Sequence, residues 1–299
     1  SVLLMPSPNV DEAVTNTTDG IIVNGDVHLI LCDEAEYFVQ RNNTDRAAVN
    51  VGENCSLSIH GQVVGTGKLT VIGYAWSAGI GCAEWNNCGN ITINGGVVDA
   101  SAGQDSSAIG GSAHSRSGII TINGGVVIAS GGTQAAAIGT GPEGECSVIT
   151  INGGTVTANG GSGGAGIGCG RQSDAGTVAI NGGTVTAEGG DHAHGIGAGN
   201  NGTNGVVMIN GGRVSAKGGI VKNDDIGKIQ AAAGRWFEAP LYVIDTPNMK
   251  LIDLRAMARR LVKDFDVKIE TPQNVVRGKD SKEVFDNIEK DYCLLLIKI

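Results

Sequence analysis

The chain has 299 residues, enough for a sizeable core and one or two domains, with only 4% aromatic residues and a formal net charge of −9. Residues 1–219 carry 7 Lys/Arg against 17 Asp/Glu and hold 46 of the 49 glycines, while residues 220–299 are nearly neutral. An acidic, glycine-rich body argues against nucleic acid and against an anionic membrane surface as partners, and no apolar run approaches the ~20 residues of a membrane-spanning helix.

Residues 1–20 are polar and irregular and read as a lead-in. At 21–26 the phrase Ile-Ile-Val-Asn-Gly-Asp opens an alternation that continues through Val27, Leu29 and Leu31. A second copy, Leu-Ser-Ile-His-Gly-Gln at 57–62, is lengthened by Gly-Thr-Gly-Lys-Leu-Thr-Val at 65–71. From residue 91 the phrase turns regular: Ile-Thr-Ile-Asn-Gly-Gly stands at 91–96, 120–125 and 149–154, with close variants at 178–183 and 207–212. Its asparagines, Asn94, Asn123, Asn152, Asn181 and Asn210, are each 29 residues apart. An Ile-Gly pair keeps the same step at Ile80, Ile109, Ile138, Ile167 and Ile196. A fixed step without slips is the mark of a stacked coil.

Reading down the columns gives Ile93, Ile122, Ile151, Ile180 and Ile209, then Val98, Val127, Val156, Val185 and Val214, then Ala100, Ala129, Ala158, Ala187 and Ala216. Polar or mixed residues lie between, so the period is two and each run is a short strand with one buried face. Each copy then holds three strands and three turns, and stacking sets like residues ~4.8 Å apart. The predicted fold is an all-β solenoid, a right-handed parallel β-helix of about seven 29-residue coils over 21–227, its irregular first coils acting as a cap.

The asparagines sit at a turn and predict a ladder of side-chain amides, with Asn tolerating the left-handed conformation there. The Ile-Gly strand predicts something else. If each Ile points in, its neighbours point out, and the following column is Gly81, Gly110, Gly139, Gly168 and Gly197. We read this bare stripe either as tight turn geometry or as the floor of a shallow groove for a sugar chain, a second copy or the chain's own tail.

Past residue 219 the glycines thin out, with a last echo at Ile226-Gly227 and a connector at 228–239 that carries Trp236 and Phe237. Residues 240–299 predict a small α/β unit: strands near 241–245, 267–270 and 293–299, and helices near 251–265 and 281–292. The seven cysteines have no zinc-like spacing; we expect buried free thiols, or one disulfide between Cys82 and Cys88 of a single coil. No stretch reads as a signal peptide, and the opening Ser1 leaves room for a removed leader or a larger parent protein. Asn16, Asn42, Asn54, Asn90 and Asn201 are Asn-X-Ser/Thr acceptors.

On the phrase at 149–158 and the Ala-Gly-Ile-Gly at 165–168, the block from 20 to 219 resembles the glycine-rich β-helix repeats of large bacterial surface proteins. The resemblance implies a secreted or cell-surface, glycan-facing module, and no reaction. The tail faintly resembles the phosphocarrier HPr. The segment matching its phosphorylation motif is Asp-Leu-Arg-Ala-Met at 253–257, so Asp253 stands for the histidine and Ala256 for the proline. Only a fold hint carries over.

One arc of each coil varies. Trp85, His114, Glu143, Gln172 and Asn201 form one column, with Glu84, Arg171, Asn87, Arg116, Glu145 and Asp174 beside it; Trp76, Asp105, Gln134 and His192 form another. Tryptophan can stack on a sugar face, and carboxylates and amides can bind hydroxyls. The expected ligand-binding residues are therefore Trp76, Glu84, Trp85, Asp105, His114, Glu143, Arg171 and Gln172, walling the glycine floor. The predicted function is non-catalytic binding of a glycan or partner, with homo-oligomer formation through the bare stripe as one alternative. A second is a polysaccharide hydrolase or lyase using Glu143, Glu145 and Asp174, two carboxyls being the minimum for glycoside hydrolysis. His194 falls in a column of small residues and reads as a displaced core histidine. No cofactor or metal is expected.

Overall fold

The computed structural model describes residues 20–219 apart from 147, 175 and 204, together with strands at 2–4, 14–17, 241–242, 268–271, 274–275 and 296–298. The chain divides into two compact units, 1–221 and 222–299.

The first unit is a parallel β-solenoid of about seven coils, each giving one strand to each of three sheets. The first sheet stacks eight strands, from Val2–Leu4 through Asp26–Leu31, Ser56–Gly61 and Asn90–Ile93 to Val206–Ile209. The second runs from Val14–Thr17 to Arg213–Lys217, and the third, of seven strands, from Ile21–Val23 to Ile196–Gly197. Like residues meet in register: Ile93 pairs with Ile122, Ile122 with Ile151, and Val98 with Val127. One strand of the expected lead-in pairs with 28–30 and another with 36–39, so residues 2–4 and 14–17 add a rung to two sheets.

The core follows the alternation. Ile91, Ile93, Val98 and Ala100 of one coil are buried, as are their counterparts in neighbouring coils. Burial stabilises by ~1.5–3 kcal/mol for each Ile or Val. The irregular early coils fill the same interior with larger side chains, Leu29, Leu31, Tyr37, Leu57 and Leu69. Burial pushes the Tyr37 phenol up to about 12. The lengthened loop before Lys68–Ile72 is held by Asp33, whose carboxylate accepts the backbone N–H groups of Val64, Gly65 and Thr66 at 2.8–3.2 Å. These bonds, that of Val64 first, hold the Asp33 carboxyl below the usual carboxylate range.

The asparagine ladder forms: Asn123 donates to Asn94, Asn152 to Asn123, Asn181 to Asn152 and Asn210 to Asn181, each at 2.8 Å. The ladder is exposed, and one detail differs from expectation: the left-handed residue of the turn is the second glycine, as at Gly154 with φ 85°, and not the asparagine. Asparagine is there for its paired donor and acceptor, which repeat at the rung spacing. Asn152→Ala removes two ladder bonds whose ends stay wet, so the expected loss is about 1 kcal/mol, seen as a fall of roughly 2–4 °C in the melting midpoint. An unchanged midpoint would show that the ladder contributes nothing net.

In the second unit Leu241–Tyr242, Leu296–Lys298, Lys268–Thr271 and Asn274–Val275 form a four-stranded sheet with antiparallel pairing. The strands expected near 241, 267 and 293 are among them. The two expected helices, the Ile226-Gly227 echo and the 228–239 connector lie outside the described residues. No helix among the described residues is long and apolar enough to cross a membrane.

Candidate functional site

The Ile-Gly strand is only two residues long, and the chain folds tightly back on either side of it. Ser77 bridges Ala83 and Ser106 bridges Ser112, both antiparallel. Inside those bridges Ala78 N donates to Cys82 O and Ser107 N to Gly111 O, both at 3.1 Å. Each Ile-Gly pair is therefore the tip of a pinched loop, with Ile80, Ile109, Ile138 and Ile167 in the core.

The glycine stripe is not a groove floor. Gly81, Gly110, Gly139, Gly168 and Gly197 are buried, with φ between 124° and 144°. A Cβ on Gly139 would lie 1.7 Å from the carbonyl oxygen of Gly168 in the next coil. The column is bare because backbone from the adjacent coil fills the space. A sugar chain or a second copy docked on this stripe is thereby ruled out. The alternation rule failed here because it assumes extended backbone, and these glycines are not extended.

Both variable columns prove to be corners. Trp85, His114, Glu143, Gln172 and Asn201 have φ of 52–63°, and Trp76, Asp105, Gln134 and His192 have φ of 56–64°. A signal for this is present in the sequence: no β-branched residue occurs in either column, and such residues resist positive φ. Except at His192 and Asn201, which end the rows, each corner shows a backbone bond to the next coil, as His114 N to Pro142 O at 3.0 Å and Glu143 N to Arg171 O at 3.0 Å. The two rows run side by side, since Glu84 N donates to Trp76 O and Arg171 N to Gln134 O.

On the first row the indole of Trp85 stacks on the imidazole of His114, with centroids 4.0 Å apart and planes at 10°. Trp85 is 72% exposed. His114 lies between two carboxylates, Nε2 at 3.9 Å from Glu84 and Nδ1 at 3.8 Å from Glu143. A disulfide joins Cys82 to Cys88 and so brackets Glu84 and Trp85, reducing the freedom of the corner that presents them. Of the two readings of the cysteines, the structure has the single Cys82–Cys88 disulfide, its Cα atoms 5.2 Å apart and within disulfide reach. Cys32, Cys55, Cys146 and Cys169 are not in a disulfide.

On the second row Asp105 accepts from Gln104 and Gln134, both at 3.1 Å, and Trp76 is 39% exposed. Arg171 reaches across the rows and donates to Gln134 Oε1 at 2.7 Å. Its guanidinium thus serves Gln134, and not the Glu143 and Asp174 beside which its column placed it. Gln172 occupies the next corner, exposed.

The three carboxylates considered for catalysis divide between two lines. Glu143 stands at a corner beside His114. Arg116, Glu145 and Asp174 form a separate line of bridged residues, with Arg116 at 3.8 Å from Glu145 and Thr203 donating to Asp174. His194 is exposed, its Nδ1 2.9 Å from Ala198 O, and so is not a core residue. Among the described residues no three His, Cys, Asp or Glu side chains cluster closely enough to hold a metal ion.

A family model described as a β-helix repeat matches residues 91–113, 120–142, 149–171 and 178–200. The chain is also similar to the replicative DNA helicase DnaB of Treponema pallidum (strain Nichols), with 53% identity over 50 residues. That stretch is 17% of this chain and spans 11% of the helicase. No solved structure matches the chain. The likeness of the tail to the phosphocarrier finds no support. The four matched repeats coincide with successive coils of the solenoid, so over those residues sequence and structure agree on a β-helix repeat.

Proposed function

We propose that the β-helix is a non-catalytic, secreted or surface-exposed module that binds a glycan on its corner rows. The observation that carries this is the exposed Trp85, stacked on His114 and flanked by Glu84 and Glu143. An indole held this far out of the body exposes apolar surface that a sugar face can cover, while the carboxylates accept hydroxyl protons. Backbone bonds and the Cys82–Cys88 link fix the corner before any ligand arrives, which lowers the ordering cost of binding. Trp76 and Asp105 on the second row extend the same surface. The net charge of −9 favours neutral over anionic glycans and disfavours nucleic acid. The hydrolase or lyase alternative is placed second because Glu145 and Asp174 are engaged by Arg116 and Thr203.

A glycan array followed by calorimetry on the full chain tests this. Trp85→Ala is expected to weaken binding about tenfold or more, ~1.4 kcal/mol, with the fold unchanged by circular dichroism. A chain that binds no glycan, or that binds equally well without the indole, would end the proposal.

A further inference from the structure

The only close pairing of two histidines among the described residues lies on a strand face and not at these corners. His28 and His60 sit on the outward side of the first sheet, in the first two coils. The register sets His28 opposite Ser58 and Ile30 opposite His60, so the two histidines are diagonal neighbours on one face. His28 Nδ1 and His60 Nε2 are 3.0 Å apart, with ring centroids at 5.3 Å and planes at 29°. Their 32-residue separation obscures this in the sequence, because the early coils are longer than the 29-residue repeat.

We propose that His28 and His60 form a two-imidazole site for a divalent transition-metal ion, copper(II) before nickel(II) or zinc(II). Two imidazole nitrogens this close either share a proton or turn both lone pairs toward one cation. A metal–nitrogen bond is ~2.0–2.1 Å, so two ligands at a right angle stand roughly 2.9 Å apart and two at a tetrahedral angle roughly 3.4 Å. The observed 3.0 Å fits the right angle, which is the preference of tetragonal copper(II) and nickel(II) rather than tetrahedral zinc(II). Copper(II) also heads the affinity order for nitrogen ligands. His28 is exposed and His60 half-buried, which leaves the remaining coordination positions to water. Asp26, two residues before His28 on the same strand face, adds negative charge, as does the acidic solenoid as a whole. Because the two ligands come from successive coils, the ion ties those coils together.

The test is titration of the full chain with copper(II), nickel(II) and zinc(II) by calorimetry, joined to the copper(II) electron paramagnetic resonance spectrum and thermal melting. The expected result is one equivalent of copper(II) with nitrogen superhyperfine structure and a melting midpoint raised by a few degrees. His28→Gln and His60→Gln keep a polar group at each position; each is expected to weaken binding roughly 10- to 100-fold and to abolish the thermal shift. His194→Ala should bind as the parent does. Copper held equally by both Gln variants, or through sulfur, would overturn the assignment. So would the absence of any one-to-one binding, which would leave the pair as a shared proton only.

Discussion

Gly139→Val is expected to be the most damaging single substitution in the solenoid. The new Cβ would fall 1.7 Å from Gly168 O and 3.3 Å from Cys146 Sγ, on a residue whose φ is 137°. Backbone conformation alone costs a non-glycine residue about 1–3 kcal/mol there. The clash adds to this, because the oxygen belongs to the next coil and cannot move without breaking its stacking. A loss of about 4 kcal/mol or more is expected, a fall of roughly 10–15 °C in the melting midpoint. Solenoids can open locally, so amide exchange should show the coils around 138–168 losing protection first. Gly52→Ala is the control: its Cβ meets nothing within 4 Å and its φ is unexceptional, so the expected change is within ~0.5 kcal/mol. A Gly139 variant as stable as this control would mean that the pinched loops are not closed as described.

Ile122→Ala is expected to cost about 2–5 kcal/mol, and Ile122→Val about 0.5–1.5. Ile122 is fully buried and stands in register between Ile93 and Ile151, so truncation leaves a void that the flanking coils cannot fill without shifting. The informative comparison is Ile209, which shares the column and the motif but is 56% exposed in the last described coil. Ile209→Ala is expected to cost under ~1 kcal/mol. Urea titrations of the three variants test this, and equal losses at 122 and 209 would remove the argument that neighbouring rungs, and not the motif, set the energy.

Part of the candidate site is legible from column spacing. Trp85, His114 and Glu143 are 29 residues apart, so an in-register stack had to bring them together, and the structure does so. Arg171 was not legible. Its bond to Gln134 crosses from one corner row to the other, and the repeat gives no distance between rows. The His28–His60 pair was hidden for a related reason: uneven early coils convert a sequence separation into a register only once the strands are paired.

The sequence by itself determined the architecture, because an unbroken step of 29 residues with period-two alternation admits one arrangement in which every coil buries its apolar side on the next. Tertiary structure alone decided what the glycines do. A glycine column reads the same whether a ligand or a neighbouring carbonyl occupies the space beside it, and here the carbonyl of the following coil does. It likewise decided which surface is offered outward, since the sign of φ at the corners, which aims Trp85 and its companions, follows from how stacked backbones bond to one another.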